Sequence, residues 1–243
     1  MKNAYLYLYE TQSHVDFALE AWEGLGRSLC EFKRAASEHV SRTEQGITGA
    51  GHEVMRDISI ASRSSFLAMH SFISHVTSIY RMLCADTMNP TKKATNAGPG
   101  RRSFELRELL GVRPDDVPKF EKVRNDLEHY DERIDKWFEE ARPHQIIDYS
   151  IGSLSHSETM NQEAIIRWLD PDELVLLSRG RKFSLRQIHE QLLTIKDMMG
   201  PALMRAWESP FHSTVMNVNG LTDKMAVLSI PVVIPPRAPS EVR

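Results

Sequence analysis

Apolar residues recur at helical spacing along two long stretches in the first third of the chain. In residues 12–37 they lie three or four positions apart, and Ser13 has the position of an N-cap. In residues 52–86 the same spacing runs through Met69, Phe72 and Val76. The pattern predicts two long amphipathic helices, the second of which forms the central wall of a helical bundle.

A third periodic stretch runs from Lys122 to Trp137. Its apolar positions alternate in steps of four and three, at Val123, Leu127, Tyr130, Ile134 and Trp137. This predicts a helix from Pro114 to about Ala141 with one buried stripe. A short helix, SFELRELLGV, precedes it, with Ser103 in the position of its cap.

The pattern changes after Pro143 to short β-like runs, IIDYSIG, AIIRWL and ELVLLS, followed by the turn RGRK. These predict a small antiparallel sheet or hairpin pair. Ser184 then caps a last helix that Gly200 and Pro201 interrupt. The predicted fold is mainly α, an up-and-down helical bundle with a β insert at about residues 145–184. Residues 1–208 form a single domain, and residues 209–243 form a partly extended, Pro-rich tail.

The composition is that of an ordinary globular protein and does not indicate a particular binding partner. The chain has 243 residues, 41% of them hydrophobic, and a formal net charge of -3. Cys30 and Cys84 lie on periodic segments outside any CxxC motif, which predicts buried reduced thiols and a cytoplasmic protein. There is no run of 18 apolar residues, so we expect neither export nor a membrane span. No HExxH, P-loop, GxGxxG or GxSxG motif occurs, and we expect no metal and no cofactor.

Charge is segregated between two neighbouring segments. Residues 87–101 are rich in Pro, Gly, Asn and Thr, which predicts an exposed loop. The basic residues in and beside this loop are candidates for substrate binding: Lys92, Lys93, Arg101 and Arg102. The predicted helix that follows is strongly acidic. A basic loop beside an acidic helix is more often a solvated surface than a nucleic-acid site.

Candidate chemistry lies on the predicted helix 114–141. Because its stripe is buried, Asn125 and His129, four residues apart, share the outer face, and Arg124 flanks the stripe within reach of that face. Histidine exchanges protons near neutral pH, and arginine presents a planar fork to phosphoryl oxygens. Glu128 and Glu132 lie close enough to take part in substrate binding.

The run RNDLEH, residues 124–129, resembles the Arg-polar-x(3-5)-His signature of the HEPN superfamily, helical proteins that include many bacterial toxin and antiviral ribonucleases. The resemblance extends over about residues 51–200, but only residues 124–133 are specific. It implies a metal-independent endoribonuclease in which the 2′-hydroxyl attacks the adjacent phosphate and leaves a 2′,3′-cyclic phosphate. It also implies catalytic roles for Arg124, Asn125 and His129.

The resemblance further implies a homodimer in which the motif faces of two subunits meet, because one histidine cannot readily serve as both acid and base. A role as a toxin or antiphage defence effector, held in check by an inhibitory protein, follows from the same likeness. Two alternatives stay open. The same helix face can bind RNA, nucleotide or a protein without catalysis, or Arg124 and Glu128 can form a plain surface ion pair.

The arginine-to-histidine spacing alone is not specific to the motif. Arg34 and His39, in the run RAASEH of the first predicted helix, have the same spacing. What distinguishes Arg124 and His129 is the polar Asn125 directly after the arginine, together with a strong amphipathic helix.

Overall fold

Helices dominate the computed structural model, which describes residues 4–46, 51–88, 98–119 and 147–207. The helices are α1 (Ala4–Glu44), α2 (Gly51–Met88), α3 (Pro99–Leu110), a short α4 (Leu154–Ser157) and α5 (Leu185–Trp207). The strands are β1 (Ser150–Ile151), β2 (Trp168–Asp170), β3 (Val175–Ser178) and β4 (Arg181–Ser184). The prediction of a mainly helical fold with a small sheet before the last helix is confirmed.

Helices α1 and α2 form an antiparallel hairpin. The ring of Trp22 packs 5.5 Å from that of Phe72, and further along the pair the Ser65 hydroxyl donates to the Ser28 hydroxyl at 3.1 Å. A later residue of α1 thus contacts an earlier residue of α2, so the two helices run in opposite directions. Phe72 is completely buried in the seam between the two helices. Burial of this stripe, rather than helix propensity, stabilises helices of this length.

Helix α5 runs antiparallel to α1 on its other side. Trp207 contacts Tyr5 with ring centroids 5.3 Å apart, and His189 stacks on Trp22 at 4.5 Å with nearly parallel rings. Its buried face carries Leu185, Ile188, Leu192, Ile195 and Met199, as the sequence predicts. Helix α1 therefore lies between α2 and α5.

Near its end, α2 has a break in its regular helix that α3 stabilises. Cys84 has non-helical angles, φ -131° and ψ 23°, and the Arg107 side chain donates to the freed carbonyl of Leu83. Arg107 also donates to both carboxylate oxygens of Asp86, at 2.7 and 2.6 Å. Burial raises the pKa of the Cys84 thiol to about 11, so this thiol stays protonated at neutral pH.

The four strands follow the order β1-β2-β3-β4. Leu169 and Leu176 pair across β2 and β3 and join the main core, whereas Trp168 and Leu177 point the other way into a second small core. The predicted turn between β3 and β4 is confirmed at Arg179 and Gly180, with φ of 48° and 71°, the positive values of a tight hairpin turn. Thus the sheet has apolar residues on both faces.

Two predicted helix caps are wrong because each serine lies inside its helix. Ser13 is in the tenth position of α1, where its hydroxyl donates to the Tyr9 carbonyl at 3.2 Å. Ser103 is buried within α3, donates to the Met82 carbonyl at 2.7 Å and accepts from the Ala85 amide at 3.1 Å. Both hydroxyls therefore satisfy backbone groups without starting a helix.

Three further predictions need correction. Strand β1 pairs with β2 in parallel, so only part of the sheet is antiparallel. Helix α5 continues through Pro201 to Trp207, because Ala202 and Ala206 are buried in the core and offset the cost of the missing hydrogen bond. Cys30 is exposed, while Cys84 is buried as predicted.

Ser184 is confirmed as the cap of the last helix, since its hydroxyl accepts from the Gln187 amide at 3.2 Å. The predicted helix from Pro114 to Ala141 falls almost entirely outside the described residues. At its start the chain forms a single 3-10 turn, Pro114–Asp116. The predicted tail, residues 209–243, also lies outside the described residues.

Candidate functional site

Most of the residues that the sequence predicts for the site lie outside the described residues. These are the three candidate catalytic residues and four of the candidate substrate-binding residues: Arg124, Asn125, His129, Lys92, Lys93, Glu128 and Glu132. The chain on both sides of them is described. Val117 is buried in the main core, and Ile147 forms a bridge with Ile165 beside the sheet. The segment 120–146 therefore connects two fixed points of the fold.

Two candidate substrate-binding residues, Arg101 and Arg102, lie together on α3. Arg101 donates to Glu105 at 2.6 Å on the exposed side of the helix, and this hydrogen bond is the main cause of a lowered pKa at Glu105. The guanidinium of Arg102 lies 4.6 Å from the centroid of the Tyr7 ring on α1. Arg101 is thus paired within its own helix, whereas Arg102 contacts α1.

A polar cluster that the sequence did not predict lies where the sheet meets α2. Arg167, just before β2, donates to Asp148 through Nε at 2.6 Å and through Nη2, and its side chain is 6% exposed. Its Nη1 lies 3.2 Å from Nε2 of His70 on α2. A buried guanidinium with a paired carboxylate holds its position firmly, because separating the two charges leaves one uncompensated. The cluster therefore fixes the sheet to α2.

The contact with Arg167 determines the protonation of His70. A guanidinium nitrogen can only donate, so His70 Nε2 accepts and the ring proton resides on Nδ1. Burial, followed by the charge of Arg167, lowers the pKa of His70, and the charge of Asp148 opposes this shift. His70 is therefore a neutral imidazole at physiological pH with one N–H left to donate.

Tyr149 joins this cluster in an unusual backbone conformation. Its φ is 51°, the left-handed region, and its amide is held by Asp148 Oδ1 at 2.9 Å. The Arg167 guanidinium lies 3.7 Å from the Tyr149 ring centroid, and the Phe66 ring meets that ring edge-on at 5.1 Å. Such a conformation costs about 1–3 kcal/mol and persists where the surroundings enforce it. The ring nevertheless stays half exposed.

Sequence reasoning missed this cluster because its members are far apart along the chain. His70, Asp148 and Arg167 come from three separate segments, and only the parallel pairing of β1 with β2 brings Asp148 to Arg167. One signal was available. Arg167 interrupts the apolar run AIIRWL, and a charged residue within a buried run indicates a buried ion pair.

A second histidine contact lies across the α1–α2 seam. Nδ1 of His14 is 2.9 Å from Nδ1 of His75, so one ring donates and the other accepts. Burial and the neighbouring His14 lower the pKa of His75. Glu10 lies 3.6 Å from His14, but within residues 4–46, 51–88, 98–119 and 147–207 no group of three His, Cys, Asp or Glu side chains has a metal-binding arrangement.

We expect acidification to destabilise the folded chain already at pH values above those at which carboxylates titrate. Burial lowers the pKa of His70, His75 and His189, so the unfolded chain binds protons first, and the free energy of unfolding should fall as pH drops from about 7 to about 5. Urea denaturation at several pH values measures this. His75→Gln should reduce the fall. A free energy of unfolding that stays constant or rises over this range would contradict the expectation.

Within the described part of the chain, no helix has the length and apolar composition of a membrane span. No family model, curated protein or solved structure matches the chain.

Proposed function

We propose that the chain is a HEPN-like, metal-independent endoribonuclease that acts as a homodimer through the face carrying Arg124, Asn125 and His129. The observation that carries the proposal is the run RNDLEH in a sequence whose apolar spacing predicts a helix with Asn125 and His129 on the side opposite its apolar stripe. An arginine, an amide and an imidazole together are the groups that phosphoryl chemistry needs.

Each residue of the motif has a distinct role in this proposal. His129 takes the proton of the 2′-hydroxyl or supplies one to the leaving oxygen, since imidazole exchanges protons at neutral pH. Arg124 stabilises the negative charge that develops on the phosphoryl oxygens. Asn125 orients the phosphate or the imidazole through its amide. Two subunits supply two histidines, so one acts as base while the other acts as acid.

The described fold supports the proposal in one respect. Val117 lies in the main core, and Ile147 bridges to Ile165, so both ends of the segment that carries the motif are attached to the packed part of the molecule. A catalytic group needs a rigid support to stay in a productive position.

The proposal is tested by incubating the purified protein with single-stranded RNA in EDTA. We expect cleavage of RNA and no cleavage of the same sequence made of DNA, because the 2′-hydroxyl is the attacking group. A protein that needs added divalent metal, or that cuts DNA equally well, is not the enzyme we propose.

A second candidate function is binding through the same face without catalysis. It is favoured by the engagement of three arginines that precede the motif segment in sequence: Arg101 pairs with Glu105, Arg107 with Asp86 and Arg113 with Asp116. Cations held this way contribute less to attracting an RNA strand. Retained RNA binding without cyclic-phosphate products would support this function over the first.

A further inference from the structure

An open cleft of about 590 Å³ lies beside Tyr149, at the junction of α2 with the sheet. Its volume is in the range of sites that hold small organic molecules. One wall is a face of α2, since Ser59, Arg63, Phe66 and His70 recur every three or four residues and Ser62 lies beside Arg63. Tyr149 continues the wall and contacts Phe66.

The described lining of this cleft carries positive charge, from Arg63. Arg63 is exposed and makes no ion pair within the part of the chain that the structure describes. The described residues that line the cleft include no aspartate or glutamate. Ser59 and Ser62 add hydroxyl groups within one turn of Arg63. His70 adds a further donor, because Arg167 occupies its Nε2 and leaves the proton on Nδ1.

The rest of the lining is apolar and largely aromatic. Tyr149 is 51% exposed, whereas Phe66 is 1% exposed and holds its ring nearly perpendicular to that of Tyr149, at 85°. Leu67 beside them is 74% exposed. Tyr149 and Leu67 therefore present the accessible apolar surface of the described lining, while buried Phe66 packs against the Tyr149 ring. The stack on Arg167 keeps the Tyr149 ring in place, so the wall exists before a ligand arrives.

We propose that this cleft binds a small aromatic anion, with its ring against Tyr149 and Leu67 and its phosphate or carboxylate on Arg63, Ser59 and Ser62. The two requirements come from separate observations. Arg63 has no ion-pair partner among the described residues, and the described lining contains no acidic group, which together select for negative charge. The exposed ring of Tyr149, held in place by Arg167, selects for a ring.

The described residues of this site come from α2 and from Tyr149, which directly precedes β1, and none of them belongs to the proposed ribonuclease motif. Its strained Tyr149 is consistent with a functional role, since such conformations are retained where the side chain must point in one direction. Failure of either proposal leaves the other unaffected.

Isothermal titration calorimetry with three probes tests the proposal. 2-Naphthyl phosphate carries both the ring and the charge, 2-naphthol carries only the ring, and inorganic phosphate carries only the charge. We expect saturable binding of 2-naphthyl phosphate to one site, at least about tenfold tighter than either fragment. No saturable binding of 2-naphthyl phosphate, or binding no tighter than that of 2-naphthol, would overturn the proposal.

Two variants and one control locate the binding site. Arg63→Gln should weaken the binding of 2-naphthyl phosphate about tenfold or more, the loss expected for a charge-assisted hydrogen bond. Tyr149→Asn removes the ring while keeping a residue that tolerates positive φ, and should also weaken binding. Arg56→Gln, about 10 Å earlier on α2 and outside the cleft, removes the same charge and should leave binding unchanged. Equal losses in Arg56→Gln and Arg63→Gln would overturn the assignment.

Discussion

Replacing His129 by alanine is expected to lower the rate of RNA cleavage by about 10²- to 10⁴-fold, the usual contribution of a positioned acid or base. The reason is that His129 is the group of the motif that can transfer a proton at neutral pH. The rate should be measured in EDTA with substrate in excess, and circular dichroism should show that the helical content is retained.

The chain provides a matched control for this substitution. His39 follows Arg34 at the same spacing, but on α1, where Arg34 pairs with Glu38 at 3.6 Å. His39→Ala should leave the cleavage rate unchanged. If the two alanine variants cleave equally fast, His129 has no catalytic role and the proposed mechanism is wrong.

Replacing Arg107 by methionine is expected to lower the free energy of unfolding by about 3–5 kcal/mol. The side chain is 6% exposed and donates to both oxygens of Asp86 and to the Leu83 carbonyl at the break in α2. The hydrogen bonds from Arg107 are the main cause of a lowered pKa at Asp86, so the carboxylate is charged at neutral pH and loses its partner. Urea denaturation at neutral pH measures the change.

A second variant and a control identify the cause of that loss. The double substitution Arg107→Met/Asp86→Leu should be more stable than Arg107→Met, because it removes the uncompensated charge, although the Leu83 carbonyl still lacks its donor. Arg101→Met, on the same helix, breaks an exposed pair with Glu105 and should cost less than about 1 kcal/mol. A loss in Arg101→Met equal to that in Arg107→Met would contradict a specific role for the buried pair.

The helical part of the fold could be predicted from apolar spacing because the helices bury continuous stripes. The spacing located α2 and the buried face of α5 closely, and it located the centre of α1. The ends were harder to predict. The first turns of α1 are stabilised by a long-range contact between Tyr5 and Trp207, which no local pattern contains.

Local signals failed where tertiary contacts outweighed them. Pro201 is an ordinary helix breaker, yet α5 continues because Ala202 and Ala206 are buried and Arg205 donates to the Leu109 carbonyl of α3. Ser103 resembles a cap in sequence, but its hydroxyl bonds α2 instead. The parallel pairing of β1 depends on a crossover through α4, and a strand of two residues carries too little pattern to reveal it.

The candidate sites differ in how far sequence could predict them. The proposed ribonuclease motif is contiguous, so its residues could be proposed from sequence alone; Arg124 and His129 lie outside the described residues, and their role stays a prediction. The cleft beside Tyr149 needs the approach of α2 to the sheet, and its wall needs the guanidinium of Arg167. Residues that act together only after folding leave no spacing for sequence analysis to detect.

The proposed activity is tested most directly by the chemistry of the new RNA ends. Mass spectrometry of the products formed by the wild-type protein in EDTA should show 2′,3′-cyclic phosphates on the upstream fragments and 5′-hydroxyls on the downstream fragments. These ends require attack by the neighbouring 2′-hydroxyl without metal. Products with 3′-hydroxyl and 5′-phosphate ends, or no products at all, would contradict the proposed function.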